Sequence, residues 1–139
     1  MRYWSALKTS WGNALYIPSE KTLLALVREV VFARAGNRCE YPKCGSRIHL
    51  SSHHAVSRRN YAAKFDPDCC VCLCLEHHDL AEKNREKLVI TLITHDLRDA
   101  SWGVYLDWQE RALITDKDAY RASMHSKCLF ALREVERWK

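Results

Sequence analysis

Two adjacent histidine pairs, His53-His54 and His77-His78, frame a stretch that also contains Cys69, Cys70, Cys72 and Cys74. Four of the seven histidines and four of the seven cysteines thus fall between residues 53 and 78. Imidazole and thiolate are the side chains that bind borderline-soft divalent metals, and imidazole also accepts a proton near neutral pH. Clustering of this kind reads as a site first and as packing second.

One part of the cluster has the spacing of a structural metal centre. Cys39 and Cys44 are separated by four residues in the turn-forming segment CEYPKCG, where Pro42 and Gly45 set the bend, and Cys74 and His77 are separated by two. Two short-range pairs brought together make a tetrahedral set of three thiolates and one imidazole, suited to a structural Zn²⁺. Binding there couples to folding, because the ligands converge only when the chain does. Cys72 could substitute for Cys74 in this set, but it lies in an apolar run, where a buried thiol behaving as a small hydrophobe is the simpler account.

The elements that must position these residues are partly legible. Leu23, Leu26, Val27, Val30 and Val31 recur at helical spacing, with Ser19 placed to cap the start and Gly36 to end the helix in a left-handed conformation. Alternation through Ile48 and Leu50 predicts a short strand over 47–54, and the run Cys70 to Leu73 predicts a second, joined by the polar loop SRRNYAAKFDPD. A helix is expected from Glu76 onward. The run LVITLI at 88–93 fits helix or strand equally, since its residues are largely β-branched. Tyr120, Met124, Cys128, Ala131, Val135 and Trp138 trace one face of a C-terminal helix, and residues 1–18 read as an irregular arm or strand packed on the body.

Adjacent histidines divide their labour by geometry. In an extended chain His53 and His54 point to different sides, and on a helix His77 and His78 stand about 100° apart, so that one reaches the zinc cluster and the other a second site. Glu82 is one helical turn beyond His78 on the same face, placed as a further ligand or as an acceptor for one. Arg58 and Arg59 follow the first pair in a loop, where guanidinium groups can clamp phosphates; Lys64 and Arg85 are weaker candidates of the same kind. His49, His95 and His125 receive no role.

Length and composition set the bounds. A chain of 139 residues with 47% hydrophobic and 28% charged residues fits one domain with a real core. No apolar run is long enough to cross a bilayer and the N-terminal stretch lacks a secretory pattern, so a cytoplasmic location, reduced thiols and no membrane partner are expected. Of the net charge of +5, most sits early: residues 1–38 have six basic and two acidic side chains, residues 39–85 seven and six, residues 86–139 nine and nine. A basic arm beside a metal-type site suggests a polyanion, nucleic acid being the commonest.

The series Cys39…Cys44-Gly45, His53-His54, Phe65-Asp66-Pro67 and Leu73-Cys74-x-x-His77-His78 resembles the HNH endonucleases, particularly the small phage and bacterial type with a zinc knuckle around a ββα-metal (His-Me finger) core. The likeness covers about residues 34–85. It implies an α+β fold with flanking N- and C-terminal helices, organised as a single domain over 1–139: basic arm and helix (1–38), knuckle and core (39–85), helical extension (86–139). It implies a metal-dependent endonuclease hydrolysing DNA phosphodiesters, with His54 as general base and with His53 and His78 as ligands of one Mg²⁺ or Mn²⁺. Double-stranded DNA is the implied partner, and a protein partner for targeting is compatible with it. At the family's middle Asn, which holds the loop around the base, stands Cys69, a weak donor and acceptor. Either another group, such as Asp68 or Asn60, then holds that loop, or activity is lowered or lost.

The rival from another class is a non-catalytic, zinc-stabilised nucleic-acid-binding module whose HNH site has degenerated at Cys69. Retention of both His54 and His78 speaks against it. A redox-sensing zinc protein using Cys69-Cys70-x-Cys72-x-Cys74 leaves the histidine pairs unexplained.

Overall fold

A computed structural model describes residues 16–137, and among them the fold is α+β, a set of helices around one two-stranded sheet. Helix α1 runs Glu20–Ala35. The Ser19 hydroxyl accepts from the Thr22 amide at 3.1 Å, and Gly36 ends the helix at φ +66°, its amide donating to Ala33. Both caps stand where the sequence spacing predicts them. Such a cap contributes about 1 kcal/mol, whereas each buried Leu or Val contributes about 1.5–3 kcal/mol. Burial of Leu23, Val27, Val30 and Val31 is therefore what holds α1 in place.

Strand β1 (Ser51–His54) pairs antiparallel with β2 (Cys70–Leu73), Ser51 opposite Leu73 and His54 opposite Cys70. The strand predicted from residue 47 begins only at 51, because His49 takes a left-handed φ of +54° that ends extended pairing. All four residues of β2 are buried. Its faces serve two cores: Val71 and Leu73 pack with Leu88, Leu92, Trp102 and Leu106, while Cys70 and Cys72 pack with the buried face of α1 and with Cys128. A strand covered on both faces reads as a continuous apolar run rather than an alternation, and the cysteines fill it as small hydrophobes.

Between the strands lie helix α2 (Tyr61–Lys64) and a 3₁₀ turn at Pro67–Cys69. Asn60 caps α2 by accepting from the Ala62 and Ala63 amides. Helix α3 (Leu75–Lys83) follows β2 directly. The helix expected from Glu76 then breaks at Asn84, which closes α3 and caps α4 (Arg85–Thr94) through its side chain on the Lys87 amide at 3.0 Å. The ambiguous 88–93 run is helical within α4, burying Leu88 and Leu92 one turn apart and leaving Ile90 exposed. Helices α5 (Ala100–Arg111) and α6 (Lys117–Arg137) complete the structure, and α6 lies along α1. Of the predicted apolar face of α6, Cys128 is fully buried and Met124 and Ala131 pack against the α1 core. The arm predicted over the first residues lies, except for 16–18, outside the described residues, as does Trp138. No described helix is long and apolar enough to cross a membrane.

Candidate metal centre and cleft

The turn after α1 carries Cys39 and Cys44. Lys43 and Gly45 both take positive φ, +66° and +64°, which folds the segment back so that the Cys44 amide donates to the Tyr41 carbonyl and the Cys39 amide to Ser46. Glu40 ties this turn to β2 in both directions: its amide donates to the Cys72 carbonyl at 2.8 Å and its carboxylate accepts from the Cys72 amide at 3.0 Å. Cys74 caps the start of α3 and His77 lies in its first turn. The result is a cluster of four donors, Cys39, Cys44, Cys74 and His77.

The distances suit a tetrahedral ion. Cys44 Sγ and Cys74 Sγ are 3.9 Å apart, and His77 Nδ1 is 3.5 Å from Cys39 Sγ and 3.2 Å from Cys74 Sγ. A tetrahedral zinc with Zn–S near 2.3 Å and Zn–N near 2.0 Å separates its donors by about 3.5–3.8 Å. The cluster is able to hold a metal such as zinc. The imidazole of His77 stacks on Tyr41, centroids 4.1 Å apart and planes 7° apart, which fixes its plane toward the thiols. Burial pushes the Cys39 thiol up to about 12. At Cys74 burial acts in the same sense, but the amides of His77 and Glu76 and the neighbouring thiols outweigh it and bring the thiol below its ordinary value. The helix N-terminus thus favours a thiolate at Cys74 over one at Cys39.

A second cluster opens on a cleft. His53 and His54 end β1 and both line this cleft, and His78 is on α3, one residue beyond the ligand-type His77. Glu82 Oε1 is 3.5 Å from His53 Nδ1 and 3.5 Å from His78 Nε2, and the two rings meet edge to face at 5.0 Å. His53 is 4% exposed, yet neither of its ring nitrogens has a hydrogen-bond partner among the described residues. Burial, reinforced by His78, pushes the His53 imidazole down to about 4, so both nitrogens stay uncharged at neutral pH. Buried polar nitrogens are almost always satisfied. His53, His78 and Glu82 converge as a set of two imidazoles and one carboxylate that could hold a metal ion.

His54 sits beside them in a different state. Its Nε2 lies 3.1 Å from the Lys64 carbonyl. A carbonyl only accepts, so Nε2 carries the proton and Nδ1 keeps the lone pair. The Lys64 carbonyl is free for this because α2 ends there and the last carbonyls of a helix lack intrahelical donors. Burial holds the imidazole below its ordinary value, and the charges of Arg58 and Lys64 act in the same direction.

The cleft, about 600 Å³, is lined by His53, His54, Arg58, Arg59, His78, Glu82 and Arg85 among others. Arg58 and Arg59 are exposed and have no ion-pair partner among the described residues. Arg85 does: its guanidinium meets Glu110 at 3.2 Å and Asp107 at 3.7 Å. The Lys64 ammonium turns away to Glu20 at 3.0 Å, and it is the backbone of Lys64 that serves the site.

Cys69 does not reach the cleft with its side chain, and neither does the Lys64 ammonium. Its side chain is fully buried in the core with Val71 and Leu73, and burial pushes its thiol well above the ordinary range. Its main chain does contribute, accepting from the Ala55 amide at 2.8 Å and so holding the residue after His54. The residues expected to hold the loop in its stead act elsewhere. Asn60 caps α2 and donates to the Glu110 carbonyl, while the Asp68 carboxylate pairs with Lys127 and Arg34. Asp66, which the sequence places in the series Phe65-Asp66-Pro67 without a role, is the further residue that the structure brings into play. It is 1% exposed, and its carboxylate accepts from Tyr105, Gln109, Lys127 and the Asp68 amide. The only signal for it in the sequence is an Asp placed between Phe65 and Pro67.

Comparison with protein-family models, with curated proteins and with solved structures gives no match to this chain.

Proposed function

We propose that the chain is a metal-dependent endonuclease of the HNH type, hydrolysing phosphodiester bonds of double-stranded DNA in the cleft between β1 and α3. In this reading β1, β2 and α3 are the ββα-metal core, and the Cys39/Cys44/Cys74/His77 cluster is its structural zinc knuckle. The observation that carries it is the convergence of His53, whose two buried nitrogens make no hydrogen bond among the described residues, on His78 and Glu82, beside a second histidine whose hydrogen bond leaves a free lone pair.

His53, His78 and Glu82 would hold one divalent cation, Mg²⁺ or Mn²⁺; two imidazoles and one carboxylate suit Mn²⁺ better. When bound, such an ion polarises a phosphate and neutralises charge on the leaving oxygen. His54 supplies the base. With Nε2–H committed to the Lys64 carbonyl, Nδ1 accepts the proton of the water that attacks phosphorus, and the lowered basicity of the ring keeps it neutral and ready near pH 7. Arg58 and Arg59, exposed on the cleft rim, pair with the phosphates flanking the cut. Cys69 takes no part through its thiol.

The test is cleavage of supercoiled plasmid by zinc-loaded protein with Mg²⁺, Mn²⁺ or no added ion, beside EDTA and His54→Ala. Nicking or linearisation that requires the ion and disappears in His54→Ala supports the reading. Equal inertness of both proteins across metals, with DNA still shifted on a gel, replaces it by the non-catalytic binding module.

A further inference from the structure

Asp66 is a buried carboxylate that the proposed chemistry does not use. Because the residue before a proline is held extended, Asp66 (φ −98°, ψ 112°) cannot continue α2, and the helix must stop ahead of Pro67. That stop is what frees the Lys64 carbonyl for His54. The segment is then fastened on both sides of Lys64. Ahead of it, the Ala62 carbonyl accepts from Gln109 Nε2 at 3.3 Å and from the Tyr120 hydroxyl. Behind it, the Asp66 carboxylate accepts from Gln109 Nε2 at 2.7 Å, Lys127 Nζ at 2.8 Å, the Tyr105 hydroxyl and the Asp68 amide. Gln109, 3% exposed, spans both fastenings. Further along, Arg34 donates to the Pro67 and Cys70 carbonyls and Trp102 Nε1 to the Asp68 carbonyl.

Resting on the nuclease reading above, we propose that Asp66 is a positioning residue for that reaction: by anchoring the 62–66 segment to α5 and α6 it aims the Lys64 carbonyl at His54 Nε2 and so selects the tautomer whose Nδ1 is the base. Removing one partner of a buried charged network strands the others. The network grips the chain on either side of Lys64, at Ala62 and at Asp66, and so brackets the carbonyl that touches His54. The work that a side-chain amide could do from position 69 is done here by a backbone carbonyl held from outside the motif.

The experiment compares wild type, Asp66→Asn and Gln109→Met, each zinc-loaded and labelled with ¹⁵N-histidine, by long-range ¹H–¹⁵N spectra at one fixed pH and by cleavage kinetics. Asp66→Asn keeps the shape of the side chain, and Lys127 retains Asp68 at 2.8 Å. The wild type should show His54 as the single Nε2–H tautomer. Both variants should show mixed tautomers at His54, with His77 unchanged, and a fall in kcat on the order of 10²-fold at nearly constant KM. A single Nε2–H tautomer and wild-type kcat in both variants, with only a lower melting temperature, would overturn the proposal. Where Asp66→Asn fails to retain zinc and fold, Gln109→Met decides alone. A wild type that cleaves nothing sinks the nuclease reading, and the His54 spectra still judge the role of Asp66.

Discussion

The two histidine-containing clusters share a helix and differ in almost everything else. Cys39, Cys44, Cys74 and His77 close on one another, with Cys39 and Cys74 buried and the His77 ring stacked on Tyr41. His53, His78 and Glu82 face a cleft of about 600 Å³, and Glu82 is exposed. Four mutual donors leave no position open, whereas three donors beside a cleft leave room for substrate and water. That is the distinction between structural and reactive metal sites. In the proposed reading the adjacent residues His77 and His78 serve opposite kinds of site, and the closed cluster fixes the orientation of the helix that carries both.

Breaking the closed cluster should have the largest effect. Zinc in such a site is worth roughly 10–16 kcal/mol, as much as the roughly 5–15 kcal/mol by which whole domains are stable. Cys74→Ser is therefore expected to abolish zinc retention and the cooperative thermal transition together. His78→Ala, which removes a half-exposed ring from the open cluster, should shift stability by less than about 1 kcal/mol. Calorimetry with zinc stoichiometry on both proteins checks this, and equal destabilisation would erase the distinction between the clusters.

Activity should invert the ranking. His54→Ala is expected to lower cleavage by about 10²–10⁴-fold, the usual range for a general base, with an unchanged melting temperature. Brief EDTA treatment should stop cleavage reversibly while the fold, with its slower-exchanging closed cluster, persists. Plasmid nicking and circular dichroism on the same sample separate the two; concurrent loss of fold and activity would mean that one ion serves both.

The closed cluster also carries a pH dependence with a definite sign. The Cys39 thiol, pushed up to about 12 by burial in the metal-free chain, is protonated at neutral pH, and zinc must displace that proton. Apparent zinc affinity should therefore rise with pH between about 6 and 8, by about tenfold per pH unit for each proton released. In the metal-free fold the same raised value acts oppositely: its contribution is present below pH 9 and is lost as pH rises toward 12. Competition with a chromogenic chelator across pH measures the first effect. An affinity flat in pH would place thiolates at all three cysteines before metal arrives.

What the sequence made visible was local. The spacing of Cys39, Cys44, Cys74 and His77, the caps Ser19 and Gly36, and the apolar run of β2 depend on neighbours a few residues away, and each has a side-chain signature. The break at Asn84 was hidden because a single Asn, although a good cap, stands in a continuous run of helix formers from Glu82 to Lys87, and the 88–93 helix because β-branched residues obscure a one-turn burial pattern whose partner, Trp102, comes from α5. Least visible was the support of His54. A backbone carbonyl has no residue type, and the carboxylate that fastens its segment meets Tyr105, Gln109 and Lys127 from 39 to 61 positions away. The expectation that position 69 or a substitute for it must supply a side chain followed from looking for an amide.

The arginines of the open cleft offer the finest test of the comparison, because three of them line it and only their neighbours distinguish them. Arg58 and Arg59 have no carboxylate within ion-pair reach among the described residues, whereas Arg85 is held between Glu110 at 3.2 Å and Asp107 at 3.7 Å. A phosphate approaching Arg85 must compete with two carboxylates already in place. One approaching Arg58 or Arg59 displaces only water and counterions. Alanine at Arg58 or at Arg59 should then reduce the dependence of log affinity on log salt by about one contact's worth, a slope change of about 1, and weaken binding uniformly across DNA sequences. Alanine at Arg85 should leave the slope unchanged and lower thermal stability by a few tenths of a kcal/mol, as expected for a partly exposed ion pair. Fluorescence anisotropy of a labelled duplex with His54→Ala as the background protein, titrated between about 50 and 200 mM salt, reads all three. If Arg85→Ala flattens the slope as much as Arg59→Ala does, then DNA enters the cleft from the α5 side and pulls Arg85 off its carboxylates. The rim that the exposed arginines mark would then be the exit rather than the point of first contact.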